Sequence, residues 1–223
     1  EEFAKLSDAG LDPMKFKRAR FAVYEIEKEI SGKVSRRAKK ITGLYVVIDR
    51  EALGARDEID ACRQAIRGGA KVIQLRDKMQ GKPALLSSAR KMQEACASSG
   101  VPFIMNDDLD IALASGADGL HIGQEDIPVP VARRLLPIDK LIGCSTATVQ
   151  EARKAESDGA DYIAVGSIYP TKSKTDINVV GLARIREIRE ATSLPIVAIG
   201  GINAENARDV IIAGADAVAV ISA

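Results

Sequence analysis

The segment GADGLHI, residues 116–122, places a glycine, an alanine and an aspartate directly before a short apolar run. Gly-Ala followed by Lys or Asp recurs at 69–71, 159–161 and 214–216, and each copy precedes another apolar run. Glycine is favoured just after a helix, where the chain adopts a left-handed conformation. The repeated unit therefore predicts a helix that ends at a glycine and a strand that begins shortly after it.

Eight short apolar runs, separated by stretches typical of helices, begin after residue 43. They are Leu44–Ile48, Val72–Leu75, Phe103–Met105, Leu120–Ile122, Leu141–Cys144, Tyr162–Val165, Ile196–Ile199 and Ala217–Ile221. The four glycine units lie 47, 43 and 55 residues apart, about two βα units each. Continuously apolar strands that alternate with helices indicate a parallel sheet covered by helices, and eight of them predict an α/β fold of the (β/α)8 barrel class. A doubly wound open sheet is the alternative, but no Gly-x-Gly-x-x-Gly follows the first strand.

The composition excludes several classes of protein. The 223 residues include 32 Lys+Arg, 31 Asp+Glu, one His, three Cys and no Trp. This balance argues against a polyanion binder, a zinc site of the usual ligands and a base-stacking platform for nucleic acid. No apolar run is long enough to span a membrane. Three scattered cysteines are typical of reduced thiols, so we expect a cytoplasmic metabolic enzyme.

The first forty residues differ from the rest of the chain. They carry 11 Lys+Arg against 7 Asp+Glu, whereas residues 41–223 carry 21 against 24, so we divide the chain into a basic helical extension, 1–40, and a barrel, 41–223. Phe16, Ala19, Val23, Ile26 and Ile30 form one apolar stripe of a helix that we expect to begin near Pro13 and end at Gly32. The stripe predicts packing on the barrel; a dimer seam or a basic surface for anions is the alternative.

The active site of such a barrel lies at the carboxyl ends of its strands. The polar residues that come directly after the predicted strands are QLRDK (74–78), NDD (106–108), GQED (123–126), STAT (145–148), PTKSKTD (170–176), Gly200-Gly201 and Ser222. They bring cations, carboxylates, hydroxyls and glycines to one face. This combination predicts a site for a phosphorylated small molecule and a divalent cation.

Two carboxylates on neighbouring strand ends, Asp107 and Asp126, are candidate ligands of Mg²⁺. The alternative is that Asp107 or Asp108 caps the next helix. Arg76 and Lys78 point to the same side of an extended segment, where they can bind a diphosphate or form a solvated cluster.

The later loops predict a second phosphate site. Thr171–Asp176 offers hydroxyls and Lys174, although a polar connection is the alternative. Gly200-Gly201 precedes a helix that we expect from Asn203, and such a helix start can bind phosphate. His121 lies within a strand, which favours a structural role over general base catalysis.

Taken together, these motifs resemble those of the thiamine-phosphate synthase family. The likeness rests on QLRDK (74–78), NDD (106–108), ADGLHIGQED (117–126) and YPTKSKTD (169–176), and it extends from about Leu44 to Ala223. The resemblance implies a (β/α)8 transferase that joins 4-amino-2-methyl-5-(diphosphooxymethyl)pyrimidine to 4-methyl-5-(2-phosphooxyethyl)thiazole. Thiamine phosphate and diphosphate would be the products.

The resemblance also implies roles for individual residues. Arg76, Lys78, Ser145 and Lys174 would be catalytic, and Asp107 and Asp126 would bind Mg²⁺, the expected cofactor. Residues implied to contact the pyrimidine diphosphate are Gln74, Leu75, Arg76, Asp77, Lys78, Asn106, Ser145 and Lys174. Those implied to line the thiazole phosphate site are Thr171, Lys172, Ser173, Gly201, Ile221 and Ser222.

The chain departs from the family pattern at two positions. Ala147 stands where many relatives have a His, and the sequence stops just after the eighth strand, before the last barrel helix. We hypothesise that the N-terminal helix takes the place of that helix across strands 1 and 8. The alternative functions are a thiazole tautomerase, which uses the His absent here, and a non-catalytic sensor of phosphorylated ligands. We expect small-molecule partners, no nucleic acid, no membrane and a possible homo-oligomer.

Overall fold

The computed structural model describes residues 12–38, 41–171 and 178–222. Within them, eight parallel strands form a closed barrel in the order in which they occur along the chain. The strands are β1 (Gly43–Asp49), β2 (Val72–Arg76), β3 (Phe103–Asn106), β4 (Gly119–Ile122), β5 (Leu141–Thr146), β6 (Tyr162–Val165), β7 (Ile196–Ile199) and β8 (Ala217–Val220). β8 pairs with β1 through Gly43 and Ala217, which closes the barrel. The predicted barrel is confirmed, and the doubly wound alternative is wrong.

Within the described residues, a long N-terminal helix precedes eight shorter helices that cover the outside of the barrel. The helices are α1 (Pro13–Ala38), α2 (Arg50–Leu53), α3 (Glu58–Arg67), α4 (Lys82–Ser98), α5 (Leu109–Ser115), α6 (Val129–Leu135), α7 (Val149–Ser157), α8 (Gly181–Ala191) and α9 (Ala207–Ile212). One apolar layer lies between strands and helices, and a second fills the barrel around Tyr45, Ile104 and Tyr162. No helix in the described ranges is long and apolar enough to cross a membrane.

The repeated Gly-Ala unit has a structural explanation at each of its positions. All four glycines adopt the left-handed backbone that the sequence predicts, with φ between 74° and 114°. The aspartate of the unit then caps the preceding strand, because its carboxylate accepts a hydrogen bond from a backbone N–H near that strand's start. Asp118 accepts from Phe103, Asp161 from Ile142 and Asp216 from Ile196. The repeat therefore organises the amino-terminal face of the barrel, opposite the active site.

These strand caps predict a measurable contribution to stability. Asp161 accepts hydrogen bonds from Arg36, Arg133 and the Ile142 backbone, and Asp161→Ala would leave all three donors without this acceptor. We expect the substitution to lower the free energy of unfolding by about 2 kcal/mol in urea titrations. As a control, Asp158→Ala removes an exposed pair with Lys154, so it should cost less than about 1 kcal/mol. Equal losses would contradict this role for Asp161.

The structure of the N-terminal helix α1 contradicts two predictions. The helix does not end at Gly32 but continues to Ala38. Gly32 is buried against Ile138, and a Cβ atom there would lie 2.7 Å from the Ile138 side chain, so the glycine permits close packing instead of ending the helix. Arg36 then joins the helix to Asp161, with 2.9 Å between Nε and Oδ1. This contact lies beside β5 and β6, so the hypothesis that α1 covers strands 1 and 8 is wrong.

The apolar stripe of α1 does not pack on the barrel as predicted. Val23, Ile26 and Ile30 are 55–57% exposed. Gly32 and Arg36, in the last turns of the helix, contact the body of the protein. The helix therefore projects its apolar stripe away from the body that the sequence predicted would cover it.

Candidate active site

The two predicted metal-binding carboxylates face each other at the carboxyl ends of β3 and β4. Asp107 has a left-handed backbone, with φ of 60°, and its N–H donates to the His121 carbonyl at 2.8 Å. A carboxylate oxygen of Asp126 accepts from the Gly123 N–H at 2.6 Å. Burial and the facing Asp126 carboxyl raise the pKa of Asp107. An acidic pair of this kind favours a cation between its members.

Lys78 supplies a cation at the edge of this pair. Its Nζ lies 3.2 Å from an Asp107 oxygen, although its side chain is 61% exposed. The loop that carries it is held by Asp77, whose carboxylate accepts from the N–H groups of Met79 and Gln80. Asp77, predicted to contact substrate, is thus occupied within its own loop. Lys78 remains at the rim, where its long side chain can reach an anion.

The helix-cap alternative for the aspartates is not supported. Asp108 occupies the position before α5, but its side chain makes no capping hydrogen bond. It pairs with Lys82, which also contacts Asp110 at 2.8 Å. Asp107, in contrast, faces Asp126 and pairs with Lys78.

Arg76 lies at the end of β2 and pairs with Asp49 at the end of β1. Asp49 is 5% exposed and also accepts from the Ala52 N–H at 3.0 Å, so the carboxylate fixes the guanidinium at the barrel mouth. Sequence reasoning missed Asp49. The rule that placed the other residues, which selects polar side chains at the carboxyl end of each strand, would have found it at strand 1.

A cavity of about 630 Å³ occupies the other half of the barrel mouth. It is lined by the predicted residues Ser145, Thr171, Gly201, Ile221 and Ser222. Ala147 also lines it and contributes a methyl group to this wall. Gln124, which the sequence analysis did not assign, lines the cavity and donates to the Ser145 carbonyl at 2.6 Å.

Gly200-Gly201 allows the loops after β6 and β7 to come close together. The φ angles are 101° and 64°. A Cβ atom on Gly200 would lie 2.0 Å from the Ser167 hydroxyl, and one on Gly201 would lie 2.4 Å from the Pro170 carbonyl. Only glycine fits both positions, and backbone N–H groups can therefore approach a ligand in the cavity.

The helix expected from Asn203 begins later, at Ala207. The side chain of Asn203 accepts hydrogen bonds from the N–H groups of Glu205 and Asn206, and this holds the segment in a turn. The prediction of a helix from Asn203 is therefore wrong.

The remaining predicted residues fall into three groups. Gln74 is buried in the barrel interior, where its amide donates to Tyr45, and Asn106 ends β3 beside His121. The Leu75 side chain packs in the layer between strands and helices, so the structure does not bring it into the site. Lys172, Ser173 and Lys174 lie outside the described residues.

The chemistry of the site depends on these two halves. One half offers paired carboxylates with Arg76 and Lys78, and the other offers a cavity with hydroxyls and a glycine loop. Among the residues that the structure describes, no group of three or more His, Cys, Asp or Glu is arranged to hold a metal by itself. Two carboxylates suit an ion that completes its shell with water and substrate oxygens. The fold and site thus define a (β/α)8-barrel enzyme with its active site at the carboxyl ends of the strands.

Comparisons with known proteins give the family. A family model described as thiamine monophosphate synthase matches residues 44–223. Thiamine-phosphate synthase from Moorella thermoacetica is 54% identical over 181 residues, which cover 81% of this chain and 86% of that protein. The enzyme of the same name from Shouchella clausii is 49% identical over 180 residues, covering 80% and 86%. The chain belongs to the thiamine monophosphate synthase family.

Solved structures agree with this assignment. Thiamine phosphate pyrophosphorylase from Pyrococcus furiosus superposes with a TM-score of 0.77 at 38% identity, covering 83% of this chain and 88% of that one. An N-acetylmannosamine-6-phosphate 2-epimerase from Clostridium perfringens reaches a TM-score of 0.61 at 17% identity, which shows the shared fold alone. The prediction of a transferase of the synthase family is confirmed.

Proposed function

We propose that this chain couples the pyrimidine diphosphate to the thiazole phosphate and releases thiamine phosphate and diphosphate. The observation that carries the proposal is the division of the barrel mouth into two halves of different chemistry. Asp107, Asp126 and Lys78 form one half, and the cavity beside Ser145 and Gly201 forms the other. A reaction that joins two phosphorylated molecules needs two such neighbouring subsites.

The carboxylate half is the proposed site of the diphosphate. Asp107 and Asp126 would hold Mg²⁺, and they fit this ion because they are oxygen ligands that face each other, with burial and the Asp126 carboxyl raising the pKa of Asp107. Bound there, Mg²⁺ would supply charge neutralisation to the phosphate oxygens. Arg76 can contact the diphosphate through two N–H groups, while Lys78 contributes a point charge. Gln74, Asn106, Ser145 and Lys174 complete the proposed pyrimidine diphosphate subsite.

The cavity is the proposed site of the thiazole phosphate. Thr171, Gly201, Ile221 and Ser222 line it, and Ser145, which is assigned to the pyrimidine diphosphate, lies on the same wall. Hydroxyls and backbone N–H groups bind phosphate oxygens as donors, and Ile221, packed against the barrel interior, offers an apolar surface to a ring. Lys172 and Ser173 are assigned to the same subsite by the family pattern.

The proposed reaction is dissociative. The bond between the pyrimidine methylene carbon and the diphosphate oxygen breaks, and the electron pair leaves with diphosphate. The ring-stabilised cation is then captured by the lone pair of the thiazole nitrogen, which forms the new carbon–nitrogen bond and the positive charge of the product. Arg76 and Lys78 stabilise the negative charge that develops on the leaving group, and the cavity orients the thiazole nitrogen. No covalent nucleophile from the protein is required.

One assay tests this function against both alternatives. The purified protein is incubated with Mg²⁺ and both substrates, and diphosphate is measured. We expect one diphosphate for each thiamine phosphate, and none when either substrate is omitted. Binding of both ligands without diphosphate release would favour a sensor. Isomerisation of a thiazole substrate without diphosphate release would favour a tautomerase.

The glycine loop gives a prediction specific to the thiazole phosphate. Gly201→Ala places a Cβ atom 2.4 Å from the Pro170 carbonyl at the cavity wall, so we expect KM for the thiazole phosphate to rise by about tenfold. Gly116→Ala is the matched control, since its φ is 74° but no atom lies within 4 Å of the added carbon. Both variants should lose about 1 kcal/mol of stability from the left-handed backbone. An equal KM in both would remove Gly201 from the subsite.

Three further assignments rest on sequence alone. We propose that residues 1–40 form an extension and 41–223 the catalytic barrel, that the chain is cytoplasmic, and that it can form a homo-oligomer. The free cysteines Cys62, Cys96 and Cys144 are consistent with a reducing compartment.

A further inference from the structure

We infer that His121 is a positioning residue for Ser145, and that two buried tyrosines hold its ring in the tautomer that carries hydrogen on Nε2. The inference rests on the proposed function, in which Ser145 contacts substrate. It concerns a continuous chain of hydrogen bonds in the barrel interior that runs from Gln74 to the mouth. The family pattern and the strand-end rule assign no role to the tyrosines.

The chain consists of four successive contacts. The Gln74 amide nitrogen lies 3.0 Å from the Tyr45 hydroxyl, which lies 3.0 Å from the Tyr162 hydroxyl. Tyr162 is 3.2 Å from His121 Nδ1, and His121 Nε2 is 2.9 Å from the Ser145 hydroxyl. These residues come from β2, β1, β6, β4 and β5, so the chain crosses the barrel interior.

Counting hydrogens gives the direction of the chain. Each tyrosine hydroxyl has one hydrogen to donate. Tyr45 accepts from the Gln74 amide, and its own buried hydrogen needs an acceptor, which the Tyr162 oxygen at 3.0 Å provides. Tyr162 in turn donates to His121 Nδ1, which must be the nitrogen without hydrogen. A neutral imidazole then carries its hydrogen on Nε2 and donates it to the Ser145 oxygen.

The direction of these hydrogen bonds determines where the hydroxyl hydrogen of Ser145 points. Because its oxygen accepts from the imidazole, the hydrogen of its own hydroxyl points away from His121. Ser145 lines the cavity, so the hydroxyl can present this hydrogen to a substrate atom there. His121 thus sets both the rotamer and the donor role of Ser145 without contacting the reacting atoms.

Close packing restricts the movement of the side chains that form this series of hydrogen bonds. Tyr45 and Tyr162 are at most 2% exposed, and burial raises the pKa of both hydroxyls, so both remain donors. Gly143 makes room for the second tyrosine: a Cβ atom there would lie 2.1 Å from Tyr162 Cζ.

The tautomer can be measured directly, because His121 is the only histidine of the chain. The protein, prepared without a histidine tag and labelled with ¹⁵N-histidine, is examined by long-range ¹H–¹⁵N correlation spectroscopy. We expect the wild type to carry hydrogen on Nε2 alone. Tyr162→Phe, which keeps the ring and removes the hydroxyl, should give a mixture of tautomers. Hydrogen on Nδ1 in the wild type would mean that the hydrogen bonds run in the opposite direction, and this result would overturn the inference.

Kinetics then separate positioning from a structural role. We expect His121→Leu to lower kcat about 10²-fold while KM for the thiazole phosphate stays within about twofold. His121→Gln, whose amide can donate to Ser145, should recover part of kcat. In a Ser145→Ala background, His121→Leu should have little further effect, since both changes remove the same interaction. Additive losses, or no rescue by Gln, would overturn the inference.

These outcomes are distinguishable from a failure of the proposed function. If the wild type releases no diphosphate, the synthase assignment fails, whereas the tautomer result still reports on the hydrogen-bond chain. If diphosphate is released and the tautomer is wrong, only the role of His121 fails.

Discussion

Replacing Asp107 with alanine is expected to lower kcat/KM for diphosphate release by about 10³-fold, or about 4 kcal/mol. Asp107 is half of the only facing carboxylate pair that we assign to Mg²⁺, and its removal leaves Asp126 without its partner. The variant should also lose the dependence of its rate on Mg²⁺ concentration, because one carboxylate binds the ion weakly. Steady-state rates across a Mg²⁺ titration provide the measurement.

Asp110→Ala is the matched control for this prediction. Asp110 is close in sequence, is 65% exposed and pairs with Lys82 on the barrel rim, so its removal should leave the Mg²⁺ titration unchanged. An Asp107→Ala variant with the wild-type Mg²⁺ response would remove Asp107 from the metal site.

The second large effect is expected for Arg76→Ala. The substitution removes a bidentate donor from the proposed diphosphate subsite and leaves the buried Asp49 carboxylate without its cation. We expect kcat to fall by about 10²–10³-fold, as for other donors aimed at developing charge. The free energy of unfolding should also fall, by about 1–3 kcal/mol, because an unpaired buried carboxylate is costly.

A double variant separates the two effects of Arg76. In Asp49→Asn/Arg76→Ala the buried charge is gone, so most of the lost stability should return while activity stays low. Lys154→Ala, an exposed cation of α7, is the control and should change neither quantity measurably. Recovery of activity together with stability would mean that Arg76 acts only through folding.

The barrel could be predicted from the sequence because the signals for its strands and helices depend mainly on neighbouring residues. A glycine before four of the eight apolar runs indicates a left-handed helix end whatever surrounds it, and all four of these glycines adopt that conformation. The strand caps made by Asp118, Asp161 and Asp216 were not predicted. Their partners lie at the start of the preceding strand, a βα unit earlier in the sequence, and the parallel pairing of the two strands brings them together.

The wrong predictions have two physical causes: packing between distant parts of the chain, and local hydrogen bonds from a side chain. Gly32 was expected to end a helix, as glycines often do, but its contact with Ile138 depends on where the barrel lies. The side chain of Asn203 holds a turn that delays α9, a local competition that apolar periodicity does not reveal. Apolar stripes such as Val23 to Ile30 predict burial only when a surface is present to cover them.

The sequence predicted most of the residues that form the candidate site, but it did not predict which side chains contact one another. Reading the residues after each strand found Asp107, Asp126 and Lys78, which the barrel brings together. The same reading could not show that Asp49 fixes Arg76, or that Tyr162 reaches across to His121. Such pairings depend on strand register and side-chain length, which a single sequence does not display.

The central claim is that the two halves of the barrel mouth bind the two products of one coupling reaction. A crystal structure of the protein with Mg²⁺, diphosphate and thiamine phosphate tests it most directly. We predict Mg²⁺ between Asp107 and Asp126, diphosphate against Arg76 and Lys78, and the product phosphate at the Gly200-Gly201 loop. Metal or diphosphate bound away from the Asp107–Asp126 pair would contradict the account.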